Sequence, residues 1–186
     1  MKQTKQALAE SLKELLKRKP LERITVKDIV SGCGINRQSF YYHFCDVYDL
    51  MEWTLEEDIR KFFEALSDPP ENWQEKVRLL FRYFYENRLM LLRGYEPESQ
   101  KRYRQVLEKW FLPILEEQMA LCPQAAGVPQ SQKEFLVKVY AWGFASLCLE
   151  WVERGLPDEN KVNLEYYFLL LTGSLSDALG RFLKVK

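Results

Sequence analysis

Residues 36–44 read Asn-Arg-Gln-Ser-Phe-Tyr-Tyr-His-Phe, a run dense in groups that recognise other molecules. On a helix, Ile35, Phe40 and Phe44 share one apolar face and turn inward, leaving Arg37, Gln38, Tyr41, Tyr42 and His43 on the others. An exposed guanidinium can pair bidentately with guanine and a carboxamide with adenine. Phenol and imidazole groups commonly bond phosphate oxygens. This is the chemistry of reading DNA, and it calls for no catalytic group. Each residue has a plainer reading as well. His43 can be a surface or capping residue. One tyrosine, Tyr41 before Tyr42, can pack between helices one and three with its hydroxyl still reaching the DNA backbone.

These side chains need a helix to carry them and a second helix to hold it. Thr25 followed by Asp28 has the form of a capping box, with Asp in the carboxylate place, and opens a short helix. Gly34 can take the left-handed conformation that ends it. Asn36 caps the next helix, 37–44, and Asp46 a fourth that runs on through Leu50, Leu55, Ile59, Phe62 and Phe63. Ahead of them, Ala7, Leu8, Leu12, Leu15 and Leu16 mark a helix over 3–18 that Pro20 terminates. Two short helices joined by a glycine turn form a helix-turn-helix. In that unit the first helix crosses the DNA backbone and the second enters the major groove.

Charge agrees with this placement. The chain of 186 residues is neutral overall, with 27 basic and 27 acidic side chains, yet residues 1–50 carry nine bases against six acids. A mildly basic head on an acidic body is expected where only the head meets phosphates. Other classes drop out. The longest uncharged apolar stretches, 139–149 and 166–176, have 11 residues each, against roughly 20 for a bilayer span. Residues 1–6 have no apolar run behind their charges, so no secretory signal is expected. Cys33, Cys45, Cys122 and Cys148 form no C-x-x-C pair and there is one histidine, so neither a zinc site nor a cofactor is expected. The cysteines fit a reducing cytosol, and Cys33 and Cys45 read as small buried fillers before redox sensors.

After the break at 67–72, helical segments follow at about 72–92, 98–121, 131–154 and 160–184, with Pro113 expected to kink the second. Aromatics recur along the first two. They read first as core, and second as the wall of a cavity for a largely apolar ligand. In that second reading Trp73, Phe81 and Trp110 line the wall, and Tyr85, Arg93 and Tyr103 supply polar contacts. The last two segments are apolar on nearly every face, so one face meets the body and the rest needs a partner. A two-fold dimer through both helices is expected, with Trp142, Ala145, Ser146, Leu149, Leu170, Gly173 and Ser174 at the interface. Its two recognition helices would stand about 34 Å apart, one turn of DNA.

The run from Thr25 to Asn36, then Ser39-Phe-Tyr-Tyr-His-Phe44 and Leu50, resembles the DNA-binding head of the TetR/AcrR transcriptional regulators. The stretch from Trp142 to Gly155 is similar to the end of the penultimate helix in that family. The resemblance implies an all-α protein with two domains, a helix-turn-helix head over 1–48 and a regulatory and dimerisation body over 49–186. It implies a cytoplasmic homodimer on a palindromic operator, a repressor released by a small molecule. By position it assigns Lys27, Arg37 and Gln38 to bases or nearby phosphates, and Thr25, Ser39, Tyr41, Tyr42 and His43 mostly to the backbone. Val47 stands where the family commonly has a phosphate-contacting lysine, which motivates an alternative: a co-regulator that acts mainly through a protein partner. The Phe44-x-Asp-x-Tyr48-Asp-Leu50 form resembles the branch linked to dihydroxyacetone kinase operons.

Overall fold

The computed structural model describes residues 2–68, 70–157 and 161–184. They form α1 (Lys2–Leu16), a 3-10 turn (Leu21–Arg23), α2 (Val26–Cys33), α3 (Arg37–His43), α4 (Val47–Glu64), α5 (Trp73–Glu86), α6 (Arg88–Gly94), α7 (Gln100–Ala120), a second 3-10 turn (Pro123–Gly127), α8 (Gln130–Glu153) and α9 (Lys161–Phe182). The protein is all-α, as the sequence implies. It divides into two compact units, residues 1–106 and 107–186. The expected boundary after residue 48 falls inside the first.

In the first unit the apolar stripe of α1 forms the floor. Leu8, Leu12 and Leu16 are buried together with Ile29 of α2, Phe40 of α3 and Leu50, Leu55 and Ile59 of α4. Burying each such side chain contributes about 1.5–3 kcal/mol. α1 and α2 approach closely, because Gly32 leaves room for Ser11, whose Oγ donates to the Ile29 carbonyl at 2.7 Å. Lys13 Nζ reaches Asp58 Oδ1 at 3.2 Å and ties α1 to α4. In the second unit α8 and α9 pack through Phe144 and Tyr167, with ring centroids 4.6 Å apart. The Tyr167 hydroxyl donates to the Tyr140 carbonyl at 2.8 Å.

Two breaks differ from expectation. Segment 72–92 is two helices: Asn87 leaves helical geometry, with φ −101° and ψ 17°, and its side-chain amide joins its own N–H in donating to the Tyr83 carbonyl. A second break lies within α9, where Thr172 leaves helical geometry and Gly173 takes φ 93°. A β-carbon is strained in that region, so glycine is what the break requires. α7 continues as a helix through Pro113, which faces solvent.

Candidate nucleic-acid interface

The elements that carry the recognition residues are fixed by capping. Thr25 Oγ1 accepts from the Asp28 N–H at 3.2 Å, and Asp28 Oδ2 accepts from the Thr25 N–H at 2.9 Å, so the capping box is present. Hydrogen bonds from Lys19 Nζ, then from the Thr25 backbone and side chain, hold the Asp28 carboxyl well below its ordinary range, at about 2. Lys19 therefore braces the cap of α2. Gly34 takes φ 68° and closes α2. Asn36 Oδ1 accepts from the Ser39 N–H at 2.7 Å and starts α3.

On α3, Phe40 is fully buried and the residues around it divide by face. Arg37, Gln38, Tyr41 and Tyr42 are exposed, the two tyrosines by 60% and 73%. Tyr41 therefore does not pack between helices one and three. Its ring stands edge-on to Phe40, centroids 5.4 Å apart, and its outer face is open. Ser39 and His43 are half-buried, and the His43 ring lies 4.9 Å from that of Tyr42. Thr25 and Lys27 are exposed at the start of α2. The surface so formed joins one cation, a carboxamide, two phenols and an imidazole on a single short helix, with Lys27 on its neighbour.

Beyond α3 the electrostatics change sign. Asp46 caps α4 through the Asp49 N–H at 2.7 Å, and Val47 beside it is half-buried. Burial first, then the field of Glu96, Glu98, Asp46 and Glu22, raises the Tyr48 phenol above its ordinary value. Lys5 also stands at this corner, its Nζ 5.2 Å above the Phe44 ring and 5.5 Å above that of Trp53. Cys45, expected as a buried filler, is exposed, because it sits in the short link between α3 and α4.

The body residues separate differently from the sequence reading. Tyr103 is buried and its hydroxyl donates to the Leu91 carbonyl at 3.1 Å, while Arg93 Nη1 donates to the Leu16 carbonyl at 2.8 Å. Both polar groups are committed to backbone. Tyr85 is half-buried with the Arg88 guanidinium 4.8 Å over its ring, and Trp73, Phe81 and Trp110 are half-buried. The sequence reading passed over Tyr83. Its hydroxyl is buried without a hydrogen-bond partner, and burial pushes the phenol far above its ordinary value. Nothing in its spacing separates it from Phe81, Phe84 and Tyr85.

On α8 and α9, Trp142, Ser146, Leu170 and Gly173 are exposed, and Ser174 is half-buried with its Oγ 2.9 Å from the Tyr140 hydroxyl. Ala145 and Leu149, expected at the interface, are instead buried within the chain itself. In their place Phe135 and Val139 extend the exposed side of α8, and Tyr166 and Leu169 that of α9. By length and apolarity α8 passes for a membrane span, but half of that window is buried within the protein, as in a core helix.

A capped helix-turn-helix with an exposed polar recognition helix, continued by a helical body, defines the class of helix-turn-helix regulators. Residues 5–52 match the family model for bacterial regulatory proteins of the tetR family, and residues 71–173 match its transcriptional regulator C-terminal region. The chain belongs to the TetR family and is a regulator, not an enzyme. It is 33% identical over 88 residues to the HTH-type dhaKLM operon transcriptional activator DhaS of Lactococcus lactis subsp. lactis (strain IL1403). That match spans 46% of this chain and 46% of the relative, so the chain spans less than half the length of the curated relative it matches. A solved structure of a dihydroxyacetone kinase operon activator DhaS shares the fold, with a TM-score of 0.63 and 22% identity over 94% of this chain and 97% of that one. Both carry the operon name of the branch that the Phe44 to Leu50 run resembles.

Proposed function

We propose that the chain is a cytoplasmic, homodimeric, sequence-specific DNA-binding regulator whose 1–48 head reads a palindromic operator through α3. The observation that carries this reading is the division of α3. Phe40 is fully buried, while Arg37, Gln38, Tyr41 and Tyr42 are held out to solvent by a helix capped at its first residue. An exposed apolar side on α8 and α9 supports the dimer, since a partner's equivalent side would cover it. In the 49–186 body we place a small-molecule effector site, supported by the buried, unpartnered hydroxyl of Tyr83. The resemblance alone implies a repressor, whereas the DhaS relatives bear the name activator. The head serves either role, because the sign follows from where the operator stands relative to the promoter. A promoter-fused reporter with and without the protein reads that sign directly.

The test is binding of the purified protein, without any partner, to duplexes drawn from its source genome. Affinity should fall steeply with salt, with a log–log slope of about −0.9 for each phosphate neutralised. Changing Arg37, Gln38, Tyr42 and His43 together should abolish the shift. Intact binding by that variant contradicts the reading. A wild-type protein that shifts no duplex favours the co-regulator that works through a protein partner.

A further inference from the structure

Three side chains between α6 and the first turn of α7 reach three different parts of the head. Arg93 bonds the Leu16 carbonyl at the end of α1. Glu96 Oε1 accepts from the Glu22 N–H of the first 3-10 turn at 3.0 Å. Arg102 forks across α4, with Nη2 3.1 Å from Asp46 Oδ2 and Nη1 3.1 Å from Glu52 Oε2. All of these groups belong to the first compact unit. Gly94 lies between them with no room to spare: a β-carbon there would stand 2.6 Å from Met51 Cε and 2.6 Å from the Tyr103 hydroxyl. The end of α6 therefore rests directly on α4.

Asp46 is the residue on which α4 begins, and only Phe44 and Cys45 separate it from the last residue of α3. Wherever Asp46 is held, the end of the recognition helix is held with it. A guanidinium is planar and presents its donors in a fixed fork. Its two arms here engage carboxylates six positions apart, nearly two turns of α4. Such a fork resists both sliding and rotation of α4, which a single point charge would not. It also neutralises an acid beside the surface that would face phosphates.

We infer that Arg102 is a positioning residue for DNA recognition, fixing the α3–α4 corner on the body so that both heads of a dimer meet their half-sites together. This inference rests on the dimeric DNA-binding reading above. It concerns geometry and not contact with DNA, which gives it a distinct signature. A dimer gains from two linked heads only if both engage at once. Loosening the heads removes that gain and leaves each head's own affinity in place.

The test begins with a duplex selected by the wild-type protein from a random pool. Binding is then measured to the full site, to a single half-site, and to full sites with one base pair added or removed between the halves. Arg102→Met should bind the full site about tenfold more weakly, within the range of coupling between sites. Its half-site affinity should stay within about twofold of wild type. The half-site salt slope should be unchanged, and the penalty for altered spacing should be smaller than in wild type. Arg102→Lys should fall between, because it keeps the charge and loses the fork. Glu52→Gln removes one arm from the other end and should shift the same readouts in the same direction, which keeps the test decisive if Arg102→Met does not fold. Full-site affinity unchanged in both Arg102→Met and Glu52→Gln overturns the inference. So does an equal loss on half and full sites with a shallower salt slope, which would make Arg102 a phosphate contact. A wild-type protein that selects no duplex fails the DNA-binding reading itself, and this inference with it.

Discussion

On α3, side-chain type sets what each position can contribute. Arg37 and Gln38 occupy its first turn and are exposed, within reach of base edges if the helix lies in a major groove. Arg37→Ala and Gln38→Ala should each cost about 1–3 kcal/mol on the preferred sequence and relax choice at one base position. Tyr42→Ala and His43→Ala should weaken all sequences about equally. Competition binding across a panel of single-base variants separates the two patterns, and one uniform pattern for all four would contradict the assignment. These residues were legible in the sequence because a polar and aromatic set along one short helix has few other uses. Tyr83 and Arg102 were not legible. An orphaned hydroxyl shows itself only when its surroundings are known, and Arg102 meets Asp46 across 56 positions of chain.

The elements were legible where local chemistry sets them. The caps at Thr25, Asn36 and Asp46, and the left-handed Gly34, stand where their residue types placed them. The breaks at Asn87 and Gly173 were missed, because an Asn or a Gly inside a long apolar pattern is tolerated as often as it ends a helix. The α2 cap carries a pH dependence. The Asp28 carboxyl lies below its ordinary 3.8, at about 2, so its bonds to Lys19 and Thr25 stabilise the fold above that ordinary value. That contribution is lost as pH falls from 3.8 towards about 2. Asp28→Asn should melt below wild type near neutral pH, and the gap should close over that acid window. A gap that stays constant down to pH 2 would mean the cap does not depend on this charge.

For the whole molecule, the apolar side of α8 and α9 decides the assembly. Trp142, Leu169 and Leu170 are 55%, 71% and 61% exposed, a surface that a lone protomer would leave in water. The sequence announced that these helices were too apolar for one face, but not which residues the protomer covers for itself, and Ala145 and Leu149 lie on that covered side. Light scattering at micromolar concentration should report a dimer for wild type and a monomer for a Trp142→Glu, Leu169→Glu double variant. A monomeric wild type would contradict the dimer. In the proposed dimer, two copies of α3 read one operator. The most direct measurement of this claim is selection from a random duplex pool by the wild-type protein and by a folded Arg37→Ala, Gln38→Ala, Tyr42→Ala variant. The expected result is a palindrome enriched by wild type, with half-sites about one helical turn apart, and no enrichment by the variant. The same palindrome enriched equally by both proteins would contradict the claim.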